Sequence, residues 1–271
     1  MVPPCPPAGA GPLTFDFTSI DFPGAQQTEA FGVNDQGHVV GAYNAGPTDH
    51  GYLYAGGNFQ TIDVPGVQHA KLLGINNHGQ VVGVLQSGYV NGTYYNSPAW
   101  FFRDGGGAIV VVGPPNTTAA FSVGQIAGIN GRGDIVAGAQ GQGGFLLNGG
   151  QYTMLPVADA NGINNPRQIV GANGGQGILL SGGQVQPIAY PGVAGPTFAM
   201  GLNNKSEIVG FYSTSPGALE HGFVLIGGKF TTVDFPQASQ TLIFGINDGG
   251  KIVGTYTTSG VSHGFIGSLR P

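Results

Sequence analysis

The chain has 271 residues, a net charge of −5 and 41% hydrophobic but only 8% charged residues, which is the reverse of a disordered composition. Its 52 Gly and 19 Pro exclude long helices, because Gly costs a helix interior roughly 1 kcal/mol and Pro about 3. Eight Lys+Arg exclude a nucleic-acid footprint, and no run of roughly 18 apolar residues is present to span a bilayer.

Residues 1–15 read as a Pro/Gly-rich lead-in, opening Met1-Val2-Pro3-Pro4-Cys5-Pro6-Pro7. The stretch lacks the basic and apolar regions of a signal peptide. Cys5, the single cysteine, can form no internal disulfide. A lone strand follows, Phe17-Thr18-Ser19-Ile20-Asp21. After it, residues 16–271 are organised by one repeating unit, whose marker is Gly-aliphatic-Asn. The marker begins at Gly32, Gly74, Gly128, Gly162, Gly201 and Gly245, with gaps of 42, 54, 34, 39 and 44 residues. A turn and a β-branched pair follow each marker, as in Val39-Val40 and Ile252-Val253. Then come a loop, an aromatic strand such as His50-Gly51-Tyr52, a Gly-Gly turn and a strand such as Thr61-Ile62-Asp63. Asn and Gly stand in the turns where positive φ is needed.

Four short strands per unit of roughly 40 residues is a propeller-blade pattern, so the expected fold is an all-β, six-bladed β-propeller. The last unit ends on a third strand, His263-Gly264-Phe265, and lacks its fourth. The N-terminal strand can supply it and close the ring, leaving no open edge at the boundary. The marker strand is then innermost.

In chain order, six residues stand three positions before the marker glycines: Glu29, Lys71, Gln125, Asp159, Phe198 and Leu242. Three charges and an amide at one register of the innermost strand are unexpected in so uncharged a chain. They are expected to converge at the mouth of the central channel. Glu29 or Asp159 would serve as base and Lys71 would stabilise developing negative charge. Such chemistry is metal-independent and needs no cofactor; a lyase, hydrolase or isomerase would suit. The alternative is a solvated channel lining in a non-catalytic binding or scaffold protein. His69 lies on the same approach. The second unit also carries an oversized loop, residues 86–97, with Tyr89, Tyr94 and Tyr95, and Arg103 lies beyond it. This loop is expected near the channel mouth, where aromatic surface suits a sugar or another small molecule.

Three histidines, His50, His221 and His263, invite a zinc reading. Zinc–nitrogen bonds of about 2.0–2.1 Å require the rings to meet, whereas packed sheets lie roughly 10 Å apart. Each instead has an aspartate ending the next strand: Asp63, Asp234 and, through ring closure, Asp21. These pairs are read as cross-strand structural staples.

The pattern Gly-Ile-Asn-Asn, Gly-x-Ile-Val-Gly and His-Gly-Phe resembles the HAF-type extracellular repeats of bacterial secreted proteins, over nearly all of residues 17–267. The resemblance implies export, to the periplasm or beyond. It implies no particular reaction. The expected partner is a small-molecule or carbohydrate ligand, without nucleic acid or membrane span, and the expected state is a monomer.

Overall fold

The β-branched pairs and alternating apolar residues of each unit form short antiparallel strands, and the Asn/Gly-rich segments between them form tight turns. The computed structural model describes residues 13–86, 88–90, 93–95, 99–112, 127–139 and 143–270, and among these every regular element is a strand. Most are grouped in four-stranded antiparallel sheets. The first sheet runs Gln27–Val33, Val39–Ala45, Thr48–Ala55, Asn58–Thr61. The second runs Ala70–Ile75, Val81–Leu85, Ala99–Arg103, Ile109–Val112, and the third Gly128–Ile129, Ile135–Ala139, Gly143–Asn148, Gln151–Met154. Next come Asp159–Ile163, Ile169–Asn173, Gln176–Ser181, Gln184–Ile188, and then Thr197–Leu202, Ile208–Ser213, Glu220–Ile226, Lys229–Thr232. These two groups are joined by one parallel bridge, Gln176 to Thr197. In the last sheet Gln240–Ile246, Ile252–Thr258 and Val261–Leu269 are completed by the N-terminal strand Phe15–Ile20. Phe15 pairs with Leu269 and Ile20 with Gly264, so the two ends of the chain share a sheet.

The marker tripeptide has a steric and a polar role. A Cβ on Gly32 would lie 3.0 Å from the Cα of Gly74, and one on Gly201 would lie 2.6 Å from the carbonyl of Phe244. The same crowding recurs around the axis and returns from Gly245 to the carbonyl of Phe31 at 2.8 Å. Neighbouring inner strands therefore meet backbone to backbone, and only glycine fits.

The marker asparagines are buried and hydrogen-bond in a closed cycle. Each side-chain amide donates to the next marker's backbone carbonyl: Asn34 to Asn76, Asn76 to Asn130, Asn130 to Asn164, Asn164 to Asn203, Asn203 to Asn247, and Asn247 back to Asn34. The same side chains accept from their own turns, as Lys251 N–H donates to Asn247 Oδ1 at 2.9 Å. One residue type thus shapes the turn and ties each inner strand to its neighbour.

Just before the marker glycine the ladder skips a residue, between Ala30 and Gly32, Leu72 and Gly74, Ala160 and Gly162, Ala199 and Gly201, and Ile243 and Gly245. Such a bulge redirects one side chain. Here the bulged residues are Phe31, Leu73, Asn161, Met200 and Phe244, and with Ala127 they line the channel. All are buried, so they form a largely apolar plug. Asn161 is its polar member, donating to the carbonyl of Ala199 at 3.0 Å.

Candidate functional site

Two of the residues three before the marker glycine, Phe198 and Leu242, pack against the plug cluster. Lys71 Nζ donates to Glu29 Oε2 at 2.8 Å, and both side chains are largely buried, 11% and 12% exposed. The ammonium also stands 6.0 Å from the ring centre of Phe31, within reach of a cation–π attraction. Asp159 forms no ion pair among the described residues. It is half-buried beside Gly138, and this burial raises its pKa above the ordinary aspartate value. The register therefore carries one tight ion pair, one carboxyl that holds its proton to higher pH than usual, and an apolar arc. Gln125 lies outside the described residues.

His69 is engaged elsewhere. Its Nδ1 is 3.1 Å from Asp49 Oδ2 and 3.2 Å from the Asp49 backbone nitrogen, bridging the first and second sheets. Arg103 does not reach the mouth. It pairs with Val81, at the marker-turn end of the sheet, whereas Lys71 pairs with Val84. The two are separated by three residues of strand rise, roughly 10 Å. The cause is strand direction, since the third strand runs antiparallel to the second and ends at the far side. The guanidinium lies beside Gly107 in its own hairpin turn.

The oversized loop forms a small hairpin, Gly88–Val90 with Thr93–Tyr95. Val90 is buried in a cluster with Ile62, Val64, Ile109 and Val111. Ile109–Val112 is the outermost strand of its sheet. Through Val90 the hairpin is anchored in the apolar cluster shared by the first and second sheets. Tyr89, Tyr94 and Tyr95 belong to its strands, and their side chains lie outside the described residues.

The three histidine–aspartate pairs are in hydrogen-bond contact: His50 Nδ1 to Asp63 Oδ1 at 3.0 Å, His221 Nδ1 to Asp234 Oδ2 at 2.8 Å and His263 Nδ1 to Asp21 Oδ1 at 2.9 Å. Each histidine also packs on a tyrosine, which stacks on an aromatic ring arriving from the preceding sheet. Phe22 lies 3.6 Å from Tyr43, Tyr190 3.7 Å from Tyr212 and Phe235 3.7 Å from Tyr256. These aromatic–Pro connectors were open to sequence reading, since Phe22-Pro23, Tyr190-Pro191 and Phe235-Pro236 recur between units. As staples, the pairs are expected to act together. Asp63→Ala should lower the melting temperature about as far as His50→Ala, by roughly 2–4 °C or less, because the pair is partly exposed. Unchanged melting in either variant, measured by calorimetry, would count against the staple.

A second ion pair crosses from the third to the fourth sheet at the marker turns. Burial raises the Asp134 pKa, but hydrogen bonds from Arg167 and Asn130 outweigh it and hold the carboxyl below its ordinary value. At this end a cavity of about 80 Å³ is ringed by side chains including Asp35, Asn77, Asn165, Asn204 and Asp248. A larger cleft, about 260 Å³, lies between the outer edges of the last two sheets, beside Phe15, Phe17, Asp234 and Arg270. No group of three or more His, Cys, Asp or Glu side chains among the described residues could hold a metal ion. Among the described residues no helix is long and apolar enough to cross a membrane.

No family model matches the sequence, and no curated protein matches it. Solved structures do resemble the fold. The PQQ-bound aldose sugar dehydrogenase of Streptomyces coelicolor is 12% identical, with a TM-score of 0.54, covering 96% of this chain and all of that one. A luciferin-regenerating enzyme is 11% identical with a TM-score of 0.56, covering 95% and 97%. A mutant of AofleA from Arthrobotrys oligospora is 13% identical with a TM-score of 0.52, covering 97% and 90%. The likeness establishes a propeller-type fold. At such identities it shows the fold and carries no activity across.

Proposed function

We propose that residues 16–271 form a six-bladed propeller, exported as its HAF-like repeat implies, that binds a small molecule or carbohydrate at the channel mouth. The observation that carries this reading is the pairing of Lys71 with Glu29 at the same register as Asp159, which has no ion-pair partner among the described residues. The ligand would rest on Phe198, Leu242 and the plug. Asp159 would exchange a proton or hydrogen bond with a ligand hydroxyl, and Lys71 would supply the fixed positive charge. Metal-independent lyase, hydrolase or isomerase chemistry fits this set. A second reading, a non-catalytic binding protein, is favoured by the neutralisation of Lys71 by Glu29.

The test is a thermal-shift screen of sugars and small polar metabolites against the parent, Glu29→Gln, Lys71→Met and Asp159→Asn. Hits should weaken in all three variants. A ligand that needs the Asp159 carboxylate should bind more tightly as pH rises through its raised pKa, and Asp159→Asn should flatten that profile. Hits indifferent to all three substitutions would place the site elsewhere. Turnover of a hit, lost in Asp159→Asn while binding persists, would separate the enzyme from the binding protein.

A further inference from the structure

On the third strand of each sheet, one side chain lies opposite a small residue of the second strand. Tyr52 stands opposite Gly41, Phe101 opposite Gly83, Phe145 opposite Ala137, Ile178 opposite Gly171, Phe223 opposite Gly210 and Phe265 opposite Gly254. Five of these side chains are hydrocarbon; Tyr52 adds a hydroxyl. One residue further along the second strand stand Ala42, Val84, Gly138, Ala172, Phe211 and Thr255. Thr255 is the polar member of that set. Tyr52 and Thr255 are buried, and among the described residues neither hydroxyl has a hydrogen-bond partner.

The two exceptions face one seam. Val39 and Tyr54 of the first sheet pack with Ile20 and Val253 of the closing sheet. Side chains two apart on a strand share a face, so Tyr52 lies on the wall that carries Tyr54. Thr255 likewise lies on the wall that carries Val253. The inner-strand residue at this register of the first sheet is Ala30, small like Ala160 and Ala199 in the fourth and fifth sheets, where the second and closing sheets carry Leu72 and Ile243.

We propose that Tyr52 and Thr255 together hold one buried water molecule between the closing sheet and the first sheet. Buried waters occur where otherwise unsatisfied polar groups converge, and they bridge them. Burial, with the charges of Glu29 and Asp21, raises the Tyr52 pKa, so its O–H remains a donor. The phenol donates to the water, and the water donates to Thr255 Oγ1. An apolar seam accepts any apolar face of the right shape. A water-bridged pair is satisfied only when the closing sheet docks on the first, which favours correct closure over mispairing.

The experiment is thermal unfolding of the full chain carrying Tyr52→Phe, Thr255→Val or both, together with a high-resolution crystal structure. Each single substitution should lower the melting temperature by about 2–4 °C, and the double variant should fall no further than the worse single one. Density for a water should lie between the two hydroxyls. A higher melting temperature for Tyr52→Phe, additive losses, or no such density would overturn the proposal. Phenylalanine already serves this position in other sheets, so folding of Tyr52→Phe is secure.

Discussion

Asn203→Ala is expected to destabilise the protein by about 3–4 kcal/mol. The Asn203 amide donates to Glu207 Oε2 at 2.6 Å and to the carbonyl of Asn247 at 3.0 Å. Its carbonyl oxygen accepts from the backbone N–H groups of Lys205 and Glu207, both at 3.0 Å. A net hydrogen bond is worth about 1 kcal/mol, and stranding buried partners adds to the loss. Alanine removes all four bonds and leaves the Asn247 carbonyl facing a methyl group. Asn203→Asp keeps the two acceptors but replaces both donors with a carboxylate directed at Glu207 and a carbonyl. It should recover little of the loss. Urea denaturation with an unchanged m-value would measure both variants. A loss under about 1 kcal/mol would show that the cycle of asparagines is ornamental to stability.

Lys71→Met should be the other large effect. It leaves the Glu29 carboxylate largely buried without its counter-charge, an arrangement that costs about 3–5 kcal/mol when burial is complete. The pair is 11% and 12% exposed, so the loss should sit toward the lower end. Adding Glu29→Gln should remove the stranded charge and recover much of the loss, measured by urea denaturation of the single and double variants. No recovery in the double variant would mean that Lys71 contributes through its alkyl stem and not its charge.

The fold was legible because its signals are local and repeated. Strand alternation needs only a period of two, and most turns carry Gly where positive φ is needed, with Arg167 and Ser206 taking that place in two marker turns. The end strands matched the missing fourth position, and Phe15–Ile20 does pair with Val261–Leu269. The marker glycine and asparagine were visible as a repeat, but the reason for them was not. It lies in contacts between residues 34–54 positions apart along the chain and, at closure, 213 apart. Arg103 shows the opposite failure. Sequence proximity to the tyrosine loop suggested one end of the sheet, and antiparallel pairing put its side chain at the other. The burial of Val90 in the cluster between the first and second sheets was likewise not legible, because its partners come from other strands.

The amino-acid order alone determined the strands, their turns and the repeating unit, since each depends on residues within a few positions of one another, and the unmatched strand at each end pointed to the closure. Tertiary structure decided which side chains meet. A one-residue bulge turned Phe31, Leu73, Asn161, Met200 and Phe244 into the channel, and sheet-to-sheet packing joined Lys71 to Glu29 while leaving Asp159 outside the pair. Those choices depend on the distance and twist between neighbouring sheets, which are set by backbone contact at the axis and are written in no single repeat.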